Sequence, residues 1–342
     1  MSRRARRRKG AGKSPWLGKL LIGFGSLLIL AAGFGYYGLR AYLHSEGFRE
    51  FLAAEVSRAA KMEGSFDPFR WDGLAVETPG FHATGTGVMA GVEATNIDTE
   101  VGFGGIRRGV WEVKATRISR LRLLLDLNKE DQPAPTEPAE HKKEVMKEQP
   151  GWVPSKVELE SLEIGEIAIK AKTASGDLQI KGMSLKATPD RGKNAFKGEI
   201  LGGTVVSPFE WVPELQVKRI LGTYSDGSAY ITKAEVNAWK DARINAFGEW
   251  NSRLGTYSFE GNIDRVKCAE LLNENWARRL TGDASSTFSV DNIRGDMVMG
   301  GDLEILNGTL TALPMLDSLA AYADTRRFRI LQLNEARMKW FW

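Results

Sequence analysis

Between residues 157 and 170, apolar and charged side chains trade places almost one for one. Val157, Leu159, Leu162, Ile164, Ile167 and Ile169 are interleaved with Glu158, Glu160, Glu163, Glu166 and Lys170. A period of two puts each set on its own face of a strand. Parity slips between Leu159 and Leu162, as at a bulge or a turn. The same texture recurs over 179–187, 196–206, 215–223, 229–239, 242–250 and 256–263. Turn residues separate the runs: Ser225-Asp226-Gly227, Asn251-Ser252 and Asn307-Gly308, the last fitting a type I′ hairpin. Upstream, 66–127 reads as short strands cut at Gly73, Pro79-Gly80, Gly85, Gly87, Gly91 and Gly104-Gly105, with 121–127 a buried strand. Runs of this length joined by short turns predict an antiparallel meander with one apolar face.

Three stretches carry a helical period instead. Ser45 stands where a cap belongs, ahead of Phe48, Phe51, Leu52, Val56 and Ala59 on one face. A helix over 268–280 is expected to end at Gly282, and one over 314–324 to open with Pro314 in its first turn.

A fourth stretch, 20–39, has no charged residue at all. Leu20, Leu21, Ile22, Phe24, Leu27, Leu28, Ile29, Leu30, Phe34 and Leu39 supply its apolar surface. As a helix it would be about 30 Å long, the thickness of a bilayer's hydrocarbon core. Arg3, Arg4, Arg6, Arg7, Arg8, Lys9, Lys13 and Lys19 precede it with no acid among them. Retention of positive charge in the cytoplasm predicts that everything after Arg40 is exported. A cleaved signal would have a shorter core and a small-x-small site after it; here Ala31-Ala32-Gly33 is mid-run. An uncleaved anchor is therefore expected ahead of a signal peptide or a buried soluble helix.

The expected plan is a basic tail (1–19), a transmembrane helix (20–39), a helix with strands (45–128), a linker (129–151) and a β-rich region (152–342). The linker holds Pro133, Pro135, Pro138 and Pro150 among charges and almost nothing apolar, so it cannot build a core.

Charge separates the tail from the body. The chain has 47 Lys+Arg and 43 Asp+Glu, and removing the eight cations before Leu20 leaves a body with a net charge of −4. Such a body has no footprint for a phosphate backbone, so no nucleic-acid partner is expected. Cys268 is the single cysteine, and a buried structural thiol is its expected role. The three histidines, His44, His82 and His141, are far apart in sequence, and no HExxH, CxxC, Walker A or GxSxG motif occurs. Gly85-Thr86-Gly87 and Gly300-Gly301 read as turns or bulges. Glu158 and Glu160 share a solvated strand face, and Asn307-Gly308-Thr309 is a sequon that a tight turn would also favour. No catalytic residue, metal or cofactor is expected, and the chain does not read as an enzyme.

The segment 301–320, Gly-Asp-Leu-Glu-Ile-Leu-Asn-Gly-Thr-Leu-Thr-Ala-Leu-Pro-Met-Leu-Asp-Ser-Leu-Ala, followed by Phe328-Arg329-Ile330-Leu331, resembles the AsmA-like family of bacterial envelope proteins. That family is related in plan to TamB-type lipid-transfer proteins. The likeness lies in a strand, an Asn/Asp-Gly hairpin, a second strand, then Leu-Pro and an amphipathic helix, over residues 282–341. It implies an inner-membrane anchor and a periplasmic, mainly β body with a few helices, curled into an elongated apolar groove. It also implies phospholipid binding or conduction in envelope lipid homeostasis, with membrane lipids and other envelope proteins as partners. Val157, Leu159, Leu162, Ile164, Ile167 and Ile169 are the candidate groove lining. A non-enzymatic envelope scaffold acting through exposed sheet edges is the alternative.

Overall fold

The computed structural model describes residues 41–342 except 61, 103, 106–107, 130–155, 191–194, 210–211, 241, 252, 294–295, 312–317, 319 and 324–329. The expected membrane span, with Leu20 to Leu39, and the linker from residue 130 on lie outside the described residues. Among the described residues, no helix is long and apolar enough to cross a membrane.

The chain divides into two compact units, residues 1–52 and 53–342. In the first, helix α1 (Glu46–Ala60) begins as expected: the Phe48 N–H donates to Ser45 Oγ at 3.3 Å. Phe48 and Phe51 are buried, and the Phe48 ring meets Tyr42 edge-on at 5.7 Å.

The second unit holds one 16-stranded sheet. In chain order the strands are β1 (Glu63–Phe66), β2 (Arg70–Asp72), β3 (Ala75–Thr84), β4 (Met89–Gly102), β5 (Val110–Asp126), β6 (Lys156–Thr173), β7 (Gly176–Asp190) and β8 (Ala195–Leu201). They continue with β9 (Thr204–Val206), β10 (Leu215–Ser225), β11 (Ser228–Ala238), β12 (Ala242–Asn251), β13 (Thr256–Lys267), β14 (Leu280–Ile293), β15 (Asp296–Thr311) and β16 (Ile330–Phe341). Neighbours in sequence are neighbours in the sheet along nearly the whole path, as in a meander.

One pairing departs from the antiparallel expectation. β5 and β6 run parallel, Val110 opposite Lys156 and Asp126 opposite Lys172. Parallel neighbours cannot be joined by a hairpin, so a long connection is obligatory between them. That accounts for a charged, proline-rich stretch in the middle of a meander.

Other boundaries moved for local reasons. The single helix expected over 268–280 is two short ones, α2 (Cys268–Leu271) and α3 (Glu274–Ala277), separated by extended Leu272. Asn273 Oδ1 accepts the Trp276 N–H at 3.1 Å and starts a new helix. Gly282 is not a C-cap; it lies inside β14 with φ +128, where a Cβ would sit 2.9 Å from the Gly308 Cα. Asn307-Gly308 is not a hairpin. Asn307 has φ +50 within β15, and the register against β14 shifts there, so the pair forms a bulge in a continuous strand. The expected strand over 196–206 breaks into β8 and β9 at Gly202 and Gly203, both left-handed. Of the helix expected over 314–324, residues 318 and 320–322 are helical and most of the rest lies outside the described residues.

Candidate functional site

Directly paired residues share a face, so a row can be followed from strand to strand. From β3 to β11 one row reads Thr78, Ile97, Ile118, Ile164, Leu185, Ile200, Ile220, Ala234. Ala246, Gly261 and Phe288 carry it on to β14. A second row on this face reads Val217, Val236, Ile244, Ile263, Ser286, Leu303, Met338, ending on β16. One face of the sheet is thus apolar along nearly its whole length.

The opposite face is a ladder of ion pairs. Glu163 meets Arg117 at 3.6 Å and Lys186 at 2.7 Å, and Arg219 meets Glu199 at 2.7 Å. Arg120–Glu166 (2.9 Å) and Arg337–Glu304 (3.0 Å) extend it towards both ends. Lys186 holds the Glu163 carboxyl below the usual carboxylate range, and Glu163 holds Lys186 above the usual ammonium value, chiefly through their hydrogen bond. These pairs are exposed, so water and salt screen them and they add little to stability. Their main effect is to keep this face in water. A depression of about 660 Å³ lies on this charged side, lined by Asp264, Asp302, Glu304, Arg337 and Lys339 among others. Glu304 and Asp302 are paired with Arg337 and Lys339, and Asp264 accepts from the Asn262 amide at 2.7 Å.

Of the six expected lining residues, four come together. Ile164 and Ile167 are buried with Met183 and Val217, and Leu162 and Ile169 pack against them. Val157 is 41% exposed, and neither it nor Leu159 belongs to that cluster. A parity slip occurs between Ile164 and Ile167: both face the cluster, and the register against β7 shifts between them. Gly165 sits at the slip, where a Cβ would come 3.0 Å from the Ser119 carbonyl oxygen. On β5 the slip is matched, since Ile118 and Leu121 face the same cluster.

The apolar face changes character along the sheet. On β12–β16 glycine and ring alternate: a Cβ on Gly261 would lie 2.6 Å from the Phe288 ring, and one on Gly301 would reach the Trp340 indole at 3.0 Å. Rings lying over glycines leave this region shallow. Met338 is 56% exposed. The sequence reading missed Met338, Phe288 and Trp340 as face residues; the available signal was a ring directly opposite a glycine, visible only with the register.

Where β13 passes into α2, the face is closed by small side chains. Ala238, Ala242, Val266, Cys268 and Ala284 are all 1–2% exposed. Burial, then the charge of Asp283, pushes the Cys268 thiol up, so it is an inert packing group. Among the described residues no group of three or more His, Cys, Asp or Glu could hold a metal ion.

No family model, no curated protein and no solved structure matches this chain.

Proposed function

We propose that the chain is an inner-membrane-anchored, non-enzymatic protein that binds or conducts phospholipid along a groove formed by the apolar face of its sheet. The observation that carries this reading is the two apolar rows, one running from β3 to β14 and the other from β10 to β16, backed by an ion-paired face. A single sheet with one apolar and one charged face needs something apolar on the first. Acyl chains meet that need without any reacting group, and transfer along a groove requires binding only. The twenty-residue uncharged run and its arginine-rich flank supply the anchor in this account. The resemblance to AsmA-like proteins adds support through its strands and not through its hairpin, because Asn307-Gly308 is a bulge.

The test is transfer of a fluorescent phospholipid between donor and acceptor vesicles in the presence of the full chain. Acceleration over the protein-free rate, lost in Met338→Asp, is the expected result. A folded chain that leaves the rate unchanged would refute conduction and favour the envelope-scaffold alternative.

A further inference from the structure

The two ends of the strands differ on the apolar face. At the end formed by the β7–β8, β10–β11 and β12–β13 hairpins, the outermost row is aromatic: Phe196 opposite Tyr224, and Trp250 opposite Tyr257. Phe196, Tyr224 and Trp250 are 39%, 48% and 46% exposed. Next to them Leu254, at the tip of the β12–β13 turn, is 73% exposed. Aliphatic rows follow further in, and the far end finishes at the small, closed row of Ala238, Ala242, Val266 and Ala284 beside α2. The strands therefore carry a gradient, from amphipathic rings in contact with water to a sealed aliphatic floor.

Among the described residues of the turns at the aromatic end, Arg253 and Asp226 carry charge. Arg253 is exposed, and its backbone N–H is held by Asn251 Oδ1 at 3.0 Å, which sets the turn. The Arg253 guanidinium, three residues after Trp250, can pair with an anionic phosphate. Tyr and Trp prefer the level where hydrocarbon gives way to headgroups, because one end of each ring system is apolar and the other polar. Length is sufficient: on β12, Trp250 to Ala242 is about 26 Å of strand, more than the about 15 Å that the acyl chains of one leaflet span.

We infer that a two-chain phospholipid lies along β10–β13 with its phosphate headgroup at the hairpin end, beside Tyr224, Trp250 and Arg253, and its acyl chains pointing towards α2. This orientation rests on the lipid reading above and adds a direction to it. A carrier with this polarity slides headgroups along one lip of the sheet, and the aromatic row marks that lip.

The experiment uses the full chain reconstituted with either of two phosphatidylethanolamine probes, one carrying a diazirine on the headgroup amine and the other at the end of an acyl chain. Labelled residues are assigned by fragment mass spectrometry after irradiation. The expected result is headgroup-probe label several-fold enriched around Tyr224, Trp250 and the β12–β13 turn. The acyl-probe label should be enriched several-fold around Val236, Ile244 and Ile263. Inverted or uniform labelling of the apolar face would overturn the orientation and leave lipid binding standing. Labelling confined to the charged face, or none on the sheet, would overturn the orientation and the lipid reading together.

Discussion

β4–β8 and β12–β16 present the same binary pattern to the same face, yet the first region is closed and the second is open. In the first, Ile164 and Met183 are 4% and 6% exposed, locked among Ile118, Leu121, Leu185 and Ile200. In the second, rings lie over glycines and Met338 is more than half exposed. Alternation therefore tells which residues share a face, but not whether that face is covered. Coverage depends on side-chain volume in the facing rows, and branched aliphatics fill space that a glycine–ring alternation leaves vacant.

Charge substitution separates the two regions most sharply. Ile164→Asp should cost more than about 4 kcal/mol, because an unpaired carboxylate replaces a packed side chain. Met338→Asp should stay within about 1 kcal/mol, its position being largely solvated. Urea unfolding of both variants measures the difference; equal losses would mean that the two regions are packed alike. Ile164 and Ile167, expected as groove lining, therefore report on folding, and Met338 reports on the open face.

Gly261→Val tests the glycine–ring arrangement. The new side chain would meet both the Asn245 carbonyl oxygen and the Phe288 ring and should cost about 1–3 kcal/mol by overpacking. A neutral outcome would show that the β12 backbone and the ring both give way. Cys268, at the closed end, should resist alkylation by an iodoacetamide reagent in the folded protein and react fully in denaturant. Rapid labelling of the folded chain would show that the floor beside α2 opens.

The smallest expected effect is on the charged face. Glu163 has a lowered pKa, so its contribution is complete above the ordinary carboxylate value and is lost as pH falls through the lowered one. Lys186 has a raised pKa, so its contribution is complete below the ordinary ammonium value and is lost as pH rises through the raised one. Lys186→Gln should flatten both limbs slightly in pH-dependent unfolding and leave the mid-range plateau almost unchanged. A large drop at neutral pH would mean that the ladder carries structure beyond its exposed pairs.

Much of the sheet was legible before the structure. The expected runs 215–223, 229–239, 242–250 and 256–263 match β10 to β13 within a few residues, because each is a short mixed apolar and polar run bounded by turn residues. The cap at Ser45 and the buried thiol at Cys268 were equally readable from local pattern. What escaped depended on partners. The parallel β5–β6 pair is a relation between strands separated by a long connection. Asn307-Gly308 has the composition of a hairpin, but its flanking residues pair with β14 and β16, and that pairing turned it into a bulge. Of the candidate lining, Leu162, Ile164, Ile167 and Ile169 share a face because each pair alternates on its own side of the slip at Gly165. Trp250 and Met338 were missed because their importance lies in what is opposite them and in how open they are.

The most direct measurement is the amount of phospholipid retained by the purified full chain after extensive exchange into lipid-free detergent, read by mass spectrometry beside Met338→Asp. The account predicts near-stoichiometric phospholipid on the wild type and a clear fall in the variant, with unfolding curves that superimpose. Equal retention by both proteins would place the lipid elsewhere, and a wild type that carries none would contradict the claim that the open apolar face is a lipid surface.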